Sequence, residues 1–115
     1  MKLKTALAYL IGLALFASVV GCSKKPPSVR VFNERATKVN VQIKTSDNTI
    51  NLNDVAAGQT TNYQDISEGP CGATAVIQNE SVSPTRSFSA EKDNNYTVIV
   101  ANTTPPTVRV DSQSK

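Results

Sequence analysis

Apolar and polar residues alternate in short segments along most of the chain, beginning near residue 28. Val39–Lys44 has an apolar residue at every second position, and residues 50–53 repeat this pattern. Such alternation is typical of a β-strand that buries one face and exposes the other. Residues 46–48, Ser-Asp-Asn, separate the two segments and are typical turn formers, so we expect a β-hairpin here.

Further segments predict that the whole domain is built from strands. Residues 96–101 are apolar at almost every position, which indicates a central strand that is covered on both faces. Val108 and Val110 follow two prolines and indicate a closing edge strand, since proline cannot donate to a strand ladder. The other expected strands are residues 29–31, 60–66, 72–78 and 85–90.

No stretch of the mature chain shows a sustained helical period. Turn residues recur about every 8 to 12 positions, as they do in sandwiches and barrels. We therefore predict an all-β fold, a small Ig-like β-sandwich of about seven or eight strands, over residues 28–115.

The first 21 residues differ from the rest in charge and hydropathy. Residues 1–4 include Lys2 and Lys4, and residues 6–20 are apolar apart from Gly12 and Ser18. This apolar stretch is shorter than the ~20 residues of a membrane-spanning helix and has the length found in signal peptides. We therefore expect a cleaved N-terminal signal helix, residues 1–21, rather than a transmembrane anchor.

Residues 19–22, Val-Val-Gly-Cys, resemble the lipobox of bacterial lipoproteins. The resemblance implies cleavage after Gly21 and attachment of a diacylglycerol to the thiol of Cys22, with a further acyl chain on the new amino group. Two or more chains anchor a protein stably in a membrane, whereas a single chain binds marginally. An ordinary secretory signal without lipidation is the alternative.

Residues 22–27 are predicted to form a lipidated tether between the membrane and the domain. The five residues after Cys22 span at most ~18 Å when extended, so the domain is expected close to the bilayer. Lys24 and Lys25 either attract anionic headgroups or are simply solvated. In the Gram-negative lipoproteins that the lipobox resembles, Asp after the lipidated Cys favours the inner membrane. Ser23 at this position indicates the outer membrane, facing the periplasm or the cell surface.

The composition argues against nucleic-acid binding, enzyme activity and metal binding. Of the 12 Lys and Arg residues, Lys2 and Lys4 leave with the signal, so ten basic residues remain beside nine acidic ones. Without a basic stripe, a nucleic-acid partner is not expected. The sequence has no His, which removes the commonest general base and metal ligand. We therefore predict no enzyme activity, no cofactor and no metal site.

Two motifs of the mature chain resemble those of a known domain family. They are Val-Arg-Val-Phe-Asn at residues 29–33 and Asn-Tyr-Thr-Val-Ile at residues 95–99. They are similar to the opening and the close of a bacterial extracytoplasmic β-sandwich domain family of unknown function. The opening is also similar, more weakly, to that of the alginate O-acetylation accessory proteins of the alginate F type. These resemblances imply a β-sandwich, with structural positions for Tyr63 and Tyr96, and an accessory role in exopolysaccharide modification or secretion as one candidate function.

Few side chains of the mature chain are candidates for a site. Cys71 is its only thiol, either reactive or, as we favour, a small buried residue that is unreactive and dispensable. Two Asn/Asp clusters could offer oxygen ligands to Ca²⁺, but their spacing favours turns; they are Asn51, Asn53 and Asp54, and Asp93, Asn94 and Asn95. Solvation is the favoured explanation of the remaining charged candidates, which are Glu34, Arg35, Asp65 and Glu68. Phe32 alternates with Val29 and Val31, which places it on the outer face.

The sequence thus favours a membrane-anchored, non-catalytic envelope lipoprotein. We expect its loops or an edge strand to bind another envelope protein or a surface polymer. The alternative hypothesis is an accessory protein in exopolysaccharide modification or secretion.

Lipidation at Cys22 is directly testable by metabolic labelling with a palmitate analogue. We expect Cys22→Ser to abolish incorporation of the label and to leave an unprocessed, mislocalised precursor, because the acylated thiol is lost. Equal labelling of the wild-type chain and the variant would show that Cys22 is not the lipidated residue.

Overall fold

The computed structural model describes residues 24–115, and the predicted signal and Cys22 lie outside the described residues. The described residues form eight strands and no helix, which confirms the predicted fold class. The strands are β1 (Ser28–Asn33), β2 (Val39–Lys44), β3 (Thr49–Val55), β4 (Gln64–Asp65), β5 (Gly69–Ile77), β6 (Thr85–Ala90), β7 (Asn94–Ala101) and β8 (Thr107–Ser114). No helix within residues 24–115 is long and apolar enough to cross a membrane.

The strands form two four-stranded sheets that face each other. Sheet A has the order β4-β1-β7-β8, and sheet B has the order β3-β2-β5-β6. In sheet A, β1 runs parallel to β7 over six residue pairs, from Ser28 beside Asn95 to Asn33 beside Val100. Every other strand pairing is antiparallel.

The core lies between the sheets and consists largely of β-branched and small side chains. Sheet A contributes valines from β1, β7 and β8, and sheet B contributes Ile43 with Ala73 and Ala75. The chain has no Trp, and the aromatic part of the core is the tilted pair of Phe88 and Tyr96, whose ring centroids are 5.2 Å apart. The Tyr96 hydroxyl accepts a hydrogen bond from the Glu91 amide, so its polar atom is satisfied although the side chain is buried.

The predicted central strand, edge strand and hairpin are all confirmed. β7 lies between β1 and β8, and β8 is at the edge of sheet A. Val98 and Val100 are fully buried in the core, while Ile99 on the opposite face of β7 is 5% exposed. β2 and β3 pair through the expected turn, in which Thr45 donates its amide to the Asn48 carbonyl.

The strand predicted over residues 60–66 is shorter than expected. This segment does run along β1, but regular pairing is limited to Gln64–Asp65 and one bridge between Phe32 and Thr60. The amide of Val31 donates to the Thr61 hydroxyl instead of a main-chain carbonyl, which interrupts the ladder. A side chain that replaces the backbone as acceptor ends a strand in this way.

Asn33, at the end of β1, joins the two sheets. Its side chain is fully buried, and its Nδ2 donates to the carbonyls of Thr37, Val55 and Ala56 at 2.7, 3.0 and 3.2 Å. Its Oδ1 accepts the amide of Arg35 at 2.9 Å. Because Val55 ends β3 of sheet B, one amide group from sheet A is bound to the other sheet and to the β1–β2 connection.

The burial of β7 and the exposure of the outer face of β2 predict different costs for two truncations. Val98→Ala leaves a partial cavity and should lower the free energy of unfolding by about 1 to 3 kcal/mol. Lys44→Ala removes an exposed side chain and should change it by less than about 0.5 kcal/mol. Denaturant titration measures both values, and equal effects of the two variants would contradict the central position of β7.

Candidate binding face

The outer face of sheet A carries a groove, which we call the sheet A groove. Val29 and Val31 point into the core, so the residues that alternate with them, Arg30 and Phe32, lie on the outer side of β1. The alternation predicts this position for Phe32. The groove has a volume of about 570 Å³. Its lining residues are Arg30, Phe32, Thr60, Thr97, Ile99, Asp111, Ser112 and Gln113.

Strand register determines which groove residues are neighbours. Thr97 of β7 lies between Arg30 of β1 and Asp111 of β8 in one row across the sheet. In the next outward-facing row, Ile99 lies between Phe32 and Arg109. The groove therefore has an apolar part and a polar part, with a cation and a carboxylate on opposite sides of the polar part.

Arg30 is held in position by two contacts. Its guanidinium carbon lies 4.6 Å from the centre of the Tyr63 ring, and its Nε donates to Thr97 Oγ1 at 3.0 Å. Stacking of a guanidinium on an aromatic ring is favourable and leaves the in-plane N–H groups accessible. The ion pairs within residues 24–115 are Arg35–Glu80 and Arg109–Glu34, and Arg30 is in neither.

Tyr63 differs from the structural position that the family resemblance implies. Its side chain is 38% exposed and lies outside the hydrophobic core. The pairing with Arg30 could not be predicted, because the two residues are 33 positions apart and lie on separate segments. The exposed ring reaches Arg30 only because the segment before β4 runs along β1.

The outer face of sheet B differs from the sheet A groove in its chemistry. A row of uncharged side chains crosses its four strands, and Thr74 and Thr85 in this row are 3.0 Å apart at their hydroxyls. The row consists of Asn51, Gln42, Thr74 and Thr85. None of these side chains is charged or aromatic, so the row has no counterpart of the Arg30–Tyr63 pair.

The loops that follow β1, β5 and β7 are linked by Arg35. Its guanidinium donates to the carbonyls of Ala101 and Thr103 and forms an ion pair of 3.1 Å with Glu80. The Arg35 side chain is only 11% exposed. Arg35 therefore acts as a link between loops, and its charge is already paired.

Cys71 lies near the start of β5 and is buried, with 6% of its surface exposed. Burial raises the pKa of its thiol, although a hydrogen bond involving the backbone of Ala90 acts in the opposite direction. Since the thiolate is the reactive form, both burial and the raised pKa disfavour reaction. The position agrees with the predicted small buried residue.

The expectation that the two Asn/Asp clusters form turns is wrong for most of their residues. Asn51, Asn53 and Asp54 lie within β3, and Asn94 and Asn95 begin β7, so only Asp93 is in a turn. Asp54 has a positive φ of 56° at the irregularity in the β2–β3 pairing, and its amide donates to Asn40 Oδ1. Asp93 has a φ of 65° in the turn before β7, and its Oδ1 accepts the amide of Lys25. Within residues 24–115 no group of three or more His, Cys, Asp or Glu side chains could hold a metal ion.

The four charged candidates named from the sequence are not brought together. Glu34 pairs with Arg109 at 3.2 Å, and Arg35 pairs with Glu80. Asp65 instead accepts a hydrogen bond from Ser28, at the opposite end of β1 from Glu34. Glu68 lies in the β4–β5 connection and is exposed.

No protein-family model matches the chain, and a search of curated proteins found no match.

Proposed function

We propose that this chain is a membrane-anchored, non-catalytic envelope lipoprotein that binds another envelope component in the sheet A groove. The observation that carries the proposal is the Arg30 guanidinium, which is stacked on Tyr63 and has no carboxylate partner within residues 24–115. Arg and Tyr are the residue types that dominate binding energy at interfaces. The pairing of the partly buried Arg30 with the exposed Tyr63 favours the groove over the loops and strand edges that the sequence suggested.

Pre-organisation adds to this argument. The Arg30 side chain would lose much of its rotational freedom on binding if it were free, at a cost of about 0.5 to 1.5 kcal/mol. Its contacts with Tyr63 and Thr97 already restrict it in the unbound chain. A guanidinium held in this way therefore binds an acceptor at a lower entropic cost than a mobile surface Arg.

The non-catalytic part of the proposal is supported by the available chemistry. The sequence has no His, and the pKa of the single thiol within residues 24–115 is raised by burial. The groove itself presents one guanidinium, one carboxylate, hydroxyls and an amide. This set of groups is suited to recognition.

Anchoring at Cys22 would orient the domain on the membrane, because the chain enters the domain through a fixed contact at Lys25. Lys25 donates its amide to Asp93 Oδ1 at 2.8 Å and accepts the Asp93 amide at 2.9 Å. The free segment between a lipidated Cys22 and this contact would span at most about 11 Å. The end of the sandwich that holds Lys25 would thus lie against the membrane. The three loops that Arg35 links would lie at the opposite end.

Photocrosslinking in native cells tests the proposed binding face. A photoreactive phenylalanine analogue replaces Gln113, which lines the sheet A groove, or Gln42, which is exposed on the outer face of sheet B. We expect a specific adduct from position 113 and none from position 42, because only the groove holds a ligand. The same adducts from both positions, or none from position 113, would contradict the proposal.

A further inference from the structure

The polar part of the sheet A groove has the features of a site for an acidic sugar. We infer that it binds a carboxylate-bearing sugar residue of an acidic polysaccharide. This inference rests on the proposed function and specifies the ligand of the same groove.

The carboxylate is inferred from the geometry of Arg30. The guanidinium carbon lies over the Tyr63 ring, and Nε donates to the Thr97 hydroxyl. The terminal N–H groups remain for an acceptor that approaches in the guanidinium plane. A planar carboxylate accepts two parallel hydrogen bonds in this arrangement.

Asp111 favours a ligand that carries hydroxyl groups at a distance from its carboxylate. It lies two strands from Arg30 in the same row, about 10 Å away at the Cα atoms, with Thr97 between them. The Asp111 carboxylate is an acceptor only. It accepts hydrogen bonds from hydroxyl groups, which a uronic acid carries across the ring from its own carboxylate.

The remaining lining fits a sugar ring. Thr60, Thr97 and Gln113 can both donate and accept hydrogen bonds, as sugar hydroxyls require. Phe32, which is partly exposed and packs beside the buried Ile99, provides an apolar surface for the C–H face of the ring. Such a combination of apolar surface with a few placed polar groups is typical of small-ligand sites.

The part of the groove around Arg30 favours a sugar over a peptide. It lies on the face of the sheet, and β1 and β7 beneath it are each paired on both sides. Their main-chain N–H and C=O groups are therefore unavailable for an extended peptide, which is commonly held by a strand ladder. β8, which carries Asp111, is at the edge of sheet A, so a peptide probe is included in the test below.

Titration calorimetry on the full chain in detergent, at fixed ionic strength, tests the inference. The probes are a galacturonic acid oligomer, a neutral galactose oligomer of the same length and a glutamate oligopeptide of the same charge. We expect the uronate to bind measurably and the other two to bind at least about tenfold more weakly, since only the uronate satisfies both Arg30 and the hydroxyl-binding groups.

The matched variants are Arg30→Gln in the groove and Arg86→Gln at an exposed position of β6 in sheet B. Both remove one positive charge, so they weaken long-range attraction equally. Arg30→Gln should weaken uronate binding at least about tenfold, whereas Arg86→Gln should change it by less than about twofold. Tyr63→Ala removes an exposed ring and should also weaken binding, which keeps the test decisive if Arg30→Gln does not fold.

The other outcomes overturn the inference in distinguishable ways. Equal binding of the neutral oligomer would exclude carboxylate recognition, and equal or tighter binding of the glutamate peptide would indicate a protein ligand. Absence of uronate binding, or equal losses in the two Arg variants, would also overturn it. The adduct from position 113 decides the proposed function independently of these results.

Discussion

The side-chain amide of Asn33 is the interaction on which the rest of the structure depends. A small sandwich without Trp has few large apolar contacts to set the relative position of its sheets. Asn33 supplies a directional contact instead, because its buried Nδ2 is bound by three carbonyls from the β1–β2 connection and the end of β3. Buried polar groups are costly unless their hydrogen bonds are made, so few other arrangements of these segments are acceptable. The backbone of Asn33 adds to this, since its amide donates to Gln59 and its carbonyl accepts from Gly58.

The same constraint positions the candidate binding face. With its last residue fixed, β1 pairs in register with β7, and this register places Arg30 beside Thr97 and Phe32 beside Ile99. The segment after Gly58 is held along β1 and brings Tyr63 to Arg30. A groove built mainly on the strands β1, β7 and β8 is more rigid than one built on loops.

Period-two alternation was sufficient to predict most of the fold. It identified β2 and β3 as a hairpin and Phe32 as an outward-facing residue, and the apolar run at residues 96–101 identified the central strand. It did not predict that regular pairing of residues 60–66 with β1 is confined to β4. Near Thr61 the Val31 amide donates to a side-chain hydroxyl, and alternation carries no information on such a hydrogen bond. Alternation also could not identify Tyr63 as the partner of Arg30, since that contact is set by tertiary packing. Lipidation at Cys22 lies outside the described residues and stays a prediction.

The central role of Asn33 is tested most directly by the free energy of unfolding of Asn33→Asp, measured by denaturant titration beside Asn51→Asp. The first substitution keeps the shape of the side chain but places an oxygen against three carbonyls, so we expect a loss of at least about 3 kcal/mol. The second makes the same chemical change at an exposed position of β3 and should alter stability by less than about 0.5 kcal/mol. A loss of less than about 1 kcal/mol for Asn33→Asp would contradict the account, because the sheets would then be held together without this amide.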